Sequence, residues 1–148
     1  MPLYLADSSI WVGRRRPGAQ YLEQLLTLRL GRGELATCVP VALEVLVGAH
    51  DGGAFARDWL NLWQHLVWLP LRERATGWAL DVQSELARAT SGGHHVAPAS
   101  YLVAACAEHA GHEVVLWHWD DGIATICQHT GQPHEPEHVR ARGNGFIG

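Results

Sequence analysis

Two short apolar runs, each ending on an aspartate, constrain this chain more than any other feature. Leu3 to Ala6 stops at Asp7, and Val114 to Trp119 stops at Asp120. A continuous apolar run of this length, bounded by polar residues, reads as a strand buried on both faces, as in parallel sheets covered by helices. Between them, Leu35 to Val39 and Leu66 to Leu71 are predicted as further short strands, the latter interrupted by Pro70. Helical spacing fills the intervals. Ile10 to Val12, Gln20 to Arg32, Pro40 to about Ala49, Ala54 to His65, Arg72 to Ala89, Pro98 to Ala110 and Gly122 to His129 are predicted helices, with Ser91, Gly92 and Gly93 breaking the longest and Gly131 ending the last. Strand and helix alternating throughout predict an α/β fold: a parallel sheet of about four to five short strands with helices on both faces. Sites in such sheets lie beyond the carboxyl ends of the strands, so Asp7 and Asp120 are expected to meet at one edge.

The length, 148 residues with 47% apolar content, suits one domain spanning 1–148. Its tail, from about Gln132 onward, is expected to be irregular. The formal charge of −4 excludes a broad positive field for polyanions, and all eleven basic residues are arginine. Any nucleic acid must therefore be held locally. No apolar run is long enough to span a bilayer, and MPLYLADSSIW lacks the pattern of a secretory leader, so a cytoplasmic location is expected. Cys38, Cys106 and Cys127 are odd in number and widely spaced, which fits buried packing rather than disulfides or zinc. The ten histidines include no H-E-x-x-H. His94 and His95, near the mouth of the groove, and His118, on the strand face of Asp120, remain candidates for additional ligands favouring Mn²⁺ or Zn²⁺.

Glu44 is a third acid of interest. It is the sole ionisable residue in VPVALEVLVGA, a helix apolar on every face, which predicts a carboxylate shielded from water and in need of a cation. The plainer alternative is a Glu at a solvent window paired with arginine. Three acids, each in or behind an apolar segment, favour a hard divalent cation with oxygen ligands.

Four blocks, LADSSIW, VPVALEVLVGA, HHVAPASYLVAACAEHAG and VVLWHWDDGIATICQHTGQP, occur in this order from Leu3 to about Pro133. Together they strongly resemble the PIN-domain family, and within it the VapC-type toxins of bacterial toxin–antitoxin pairs. The resemblance implies a small, usually dimeric ribonuclease dependent on Mg²⁺ or Mn²⁺ and inhibited by a cognate VapB-type antitoxin. It also implies that Asp7, Glu44 and Asp120 are metal ligands, with Ser9 and Ser100 as secondary polar contacts. Two positions depart from the family pattern. Ser100 stands where an aspartate usually opens the alanine-rich helix, and Gly122 stands where D-x-D-F carries its second acid. Fewer acids imply weaker metal binding, and they leave open an alternative: a PIN-fold protein that binds a partner without cutting RNA. Asp121 reads as an acid capping the last helix. Arg14, Arg15 and Arg16 are either phosphate contacts or a solvated charge run. Trp59, Trp63 and Trp78 fall at helical spacing, which suits a core or an interface more than base stacking.

Overall fold

The computed structural model describes residues 1–89 and 95–137; the predicted break at Ser91 to Gly93, His94 and the end of the tail lie outside them. Five strands form one sheet: β1 (Leu3–Ala6), β2 (Leu35–Thr37), β3 (Val67–Trp68), β4 (Val114–His118) and β5 (His134–Pro136). Their order is β3-β2-β1-β4-β5, and each neighbouring pair is parallel. The helices are α1 (Ser8–Gly13), α2 (Gln20–Gly31), α3 (Val39–Leu46), α4 (Gly52–Asn61), α5 (Glu73–Ala89), α6 (Pro98–Glu108) and α7 (Asp121–Thr130). This is the α/β architecture that the alternation of strands and helices predicts.

The first strand occupies the middle of the sheet. The crossovers from β1 to β2 and from β3 to β4 run in opposite directions, so right-handed connections place their helices on opposite faces. Tyr4 and Trp117 share the face covered by α2. There the Arg29 guanidinium lies 3.6 Å from the Tyr4 ring centroid and 4.2 Å from that of Trp117. On the other face, α6 buries Tyr101, Val103, Ala104 and Cys106 in the core with Leu5, Leu116 and Ile126.

Three expectations are corrected. The tail is not irregular from Gln132: it forms β5, whose side chains fasten it to the sheet. Glu137 is fully buried and accepts from Trp117 Nε1 at 2.7 Å and from the Tyr21 hydroxyl at 3.1 Å, while Glu135 pairs with Arg29 at 2.9 Å. The strand expected over Leu66 to Leu71 shrinks to Val67–Trp68, because Pro70 cannot donate to a ladder. The helix over Ala54 to His65 divides into α4 and a 3₁₀ turn at Trp63–His65. Trp63 is buried against Trp11, their ring centroids 5.1 Å apart, whereas Trp59 sits at the surface beside Phe55 and Trp68. Trp78 packs on the core and meets His109 edge-on.

Candidate active site

Because all five strands are parallel, their carboxyl ends share one edge, and β1 and β4 are neighbours there. Ala6 is in register with Trp117, and the Asp7 N–H donates to the Trp117 carbonyl at 2.9 Å. Asp7 and Asp120 are thus delivered side by side, as the strand pattern predicts. Each also caps a helix. Asp7 Oδ2 accepts from the Ser9 N–H at 3.1 Å at the start of α1, and Asp120 Oδ1 accepts from the Ile123 N–H at 2.9 Å at the start of α7. Both carboxylates face positive helix ends, which fixes their rotamers and offsets part of their desolvation.

Ser9 joins the two segments. Its hydroxyl donates to Asp7 Oδ2 at 2.6 Å and accepts the Trp119 N–H at 2.9 Å. The residue preceding Asp120 is therefore tied to the residue following β1. Asp7 is almost completely buried. Burial pushes its carboxyl above the ordinary range, the Ser9 bonds work against that, and the negative charges of Asp120 and Glu44 add to it. The three acids therefore feel one another's charge at this edge.

Glu44 departs from expectation. It is exposed, as are Val39, Leu43 and Val47 on the same helix, so α3 is not enclosed, and its apolar residues form an open groove with Phe55 and Trp59. Glu44 still reaches the site's rim, where Oε2 accepts from the Ser8 hydroxyl at 3.0 Å. Ser8, unremarkable in the sequence beside Ser9, is thereby part of the arrangement.

Ser100 is buried in the first turn of α6, and among the described residues no hydrogen bond joins its hydroxyl to Asp7 or Asp120. Gly122 is glycine for a local reason. A Cβ there would lie 2.9 Å from Asp120 Oδ1 and 3.4 Å from Val96 Cγ1. Asp121 is not the cap, a role Asp120 takes; it is an exposed acid in the first turn of α7.

His118 is fully buried and points away from solvent. Its Nδ1 accepts from the Asp120 N–H at 3.3 Å, and its Nε2 bonds His134 Nδ1 at 2.9 Å, the two rings stacked nearly parallel. Its ring nitrogens are committed, so it supports Asp120 from behind instead of joining the ligand set. His95 lies at an exposed position before α6. The three cysteines are buried and free. The Cys38 thiol is pushed up by its hydrogen bond with Cys106 and by burial, and burial pushes Cys127 up to about 12, so neither is a nucleophile.

Among the described residues no group of three or more His, Cys, Asp or Glu side chains closes into a ready metal cage. The cleft offers an open, all-oxygen set: Asp7 and Asp120, with Glu44 at the rim. That donor set fits Mg²⁺ or Mn²⁺, which bind through one or two carboxylates and keep several waters.

The fold and this acidic edge define a PIN-domain protein. The structure resembles DNA-bound VapBC from Salmonella typhimurium, with a TM-score of 0.67 and 18% identity over 92% of this chain and 98% of that one. VapBC2 from Rickettsia felis, bound to a promoter fragment, gives 0.67 at 16% identity over 90% and 98%. FitAcB from Neisseria gonorrhoeae gives 0.61 at 16% over 92% and 99%. No protein-family model matches the chain. In sequence it is 30% identical over 138 residues to Ribonuclease VapC18 of Mycobacterium tuberculosis, covering 90% of this chain and 93% of that protein. The chain belongs to the VapC ribonuclease family. Among the described residues no helix is long and apolar enough to cross a membrane.

Proposed function

We propose that this chain is a metal-dependent endoribonuclease, the toxin of a VapBC-type pair, and that it hydrolyses RNA phosphodiester bonds at the Asp7–Asp120 edge. The observation that carries the reading is the convergence of two capped carboxylates from distant segments, locked together by Ser9. Asp7, Asp120 and, through Glu44, the rim would hold Mg²⁺ or Mn²⁺. Bound there, such a cation neutralises phosphate charge and makes water a better nucleophile. The chain's own residues do the positioning. Ser9 occupies Asp7 Oδ2, and Ile123 occupies Asp120 Oδ1, so the other oxygen of each carboxylate is outside these capping bonds. Ser100, buried in the first turn of α6, would offer at most a neutral hydroxyl where the family carries an acid. Hydrolysis adds water across one P–O bond and leaves one phosphomonoester and one free hydroxyl.

A VapB-type antitoxin is the partner, since the solved relatives are VapBC and FitAB complexes. The open apolar groove between α3 and α4 continues from the helix that bears Glu44, so a segment lying in it would also cover the site. A homodimer completes the reading. Incubation of the purified chain with RNA and Mn²⁺ tests it: cleavage is expected, and Asp7→Asn should abolish it. Cleavage that persists in that variant overturns the assigned roles, and light scattering of the purified chain reads the dimer.

A further inference from the structure

We propose that Arg16 grips the phosphodiester backbone of single-stranded RNA beside the acidic cleft, held ready on the indole of Trp119; the inference rests on the ribonuclease reading above. Arg14, Arg15 and Arg16 are indistinguishable in the sequence, and the fold separates them. Arg14 is committed: it pairs with Glu23 at 3.2 Å and lies 5.3 Å over the Trp11 ring. Arg15 is exposed, with no carboxylate or ring partner among the described residues. Arg16 is also exposed and has no carboxylate partner among those residues, yet it is held in place, its guanidinium carbon 4.5 Å over the Trp119 ring.

That ring is a fixed platform. The Trp119 backbone N–H donates to Ser9 Oγ, which fixes the main chain beneath the ring, and the indole edge rests on Gly13, where a Cβ would fall 2.8 Å from Cε3. Gly13 is buried with an ordinary helical backbone, so the close approach of the indole is what requires glycine there. Contacts therefore run without a gap from Asp7 through Ser9 and Trp119 to Arg16, and they place a cation one residue from Asp120. Stacking uses the guanidinium's flat face and leaves its N–H edge available, the geometry that suits a phosphate. The need for such a contact follows from charge. A chain of net charge −4 without lysine has no general field for a polyanion, and the cleft itself is acidic. With a cation on the scissile phosphate, Arg16 is placed to take a neighbouring one.

The test measures binding of a fluorescent, random-sequence single-stranded RNA to the full chain carrying Asp7→Asn, in Mg²⁺, between about 50 and 200 mM salt. Adding Arg16→Ala is expected to weaken binding about tenfold, as for a lost charge-assisted hydrogen bond. It should also lower the slope of log affinity against log salt by about 0.7. Arg16→Lys should keep the slope and lose part of the affinity, because charge survives and stacking does not. Arg14→Ala and Arg15→Ala should leave the slope unchanged. An unchanged slope in Arg16→Ala, or an equal loss in Arg15→Ala, overturns the assignment. If wild-type chain nevertheless cuts RNA, the ribonuclease reading stands; a parent protein that binds no RNA, together with a wild-type chain that cuts none, overturns both.

Discussion

The Ser9 hydroxyl and the Asp7 carboxylate lie 2.6 Å apart, and the same hydroxyl oxygen accepts the Trp119 N–H. One small side chain thus sets the carboxylate's orientation and the spacing of β1 from the turn after β4. Replacing it with alanine leaves a backbone N–H and a buried carboxylate each short of a partner. Ser9→Ala is expected to cost about 1–3 kcal/mol of stability, read by urea denaturation. It also removes the hydroxyl bond that helps hold the Asp7 pKa down, while the backbone bond remains, so the rise of activity with pH should move to higher pH.

Asp7 itself opposes the fold at neutral pH. Burial raises its folded-state pKa above the unfolded value, so its favourable contribution is complete below the ordinary aspartate range and is lost as pH rises through the raised value. Asp7→Asn is therefore expected to abolish cleavage while raising the metal-free Tm at pH 7. The gain should vanish on acidification to below the ordinary range. Differential scanning calorimetry at the two pH values checks the sign.

Restoring the two absent acids is expected to have opposite outcomes. Gly122→Asp must push a Cβ against Asp120 Oδ1 and Val96, which displaces a site carboxylate and costs about 1–3 kcal/mol; cleavage should fall. Ser100→Asp places a carboxylate in the first turn of α6, where the helix end favours it. Calorimetric titration with Mn²⁺ should show tighter binding in this variant than in the wild type and weaker binding in Gly122→Asp.

Glu137 pins the last strand from inside. Its two carboxylate oxygens receive the Trp117 indole N–H and the Tyr21 hydroxyl. Glu137→Ala strips both donors of their acceptor, and a loss of about 3 kcal/mol is expected. Hydrogen exchange should show the loss centred on β4 and β5.

The sheet's buried middle was legible in the sequence because a parallel strand covered on both faces must be apolar throughout. Leu3 to Ala6 and Val114 to Trp117 satisfy that, and the acids that follow them are set by strand-end geometry. The edges were not legible. His134–Pro136 has no strand propensity, and its pairing is carried by backbone bonds to β4 and by Glu135 and Glu137, whose partners Arg29 and Tyr21 lie more than a hundred residues away. Glu44 misled for a different reason. An apolar helix reads as enclosed, yet Leu43 and Val47 stand in solvent, because nothing local distinguishes a core face from a docking face. His118 was correctly placed near Asp120, but its stacking partner comes from β5, which the sequence concealed.

The central position of β1 has a consequence for how such a chain is made. Its neighbour β2 is synthesised soon after it, but its other neighbour, β4, follows only after α3, α4, β3, α5 and α6 have been made. A growing polypeptide holding Asp7 without Asp120 has half a centre, and parallel pairing across that separation is slow to form. A fragment that stops short of β4 therefore cannot bring the two acids together, whatever else of the sheet has formed.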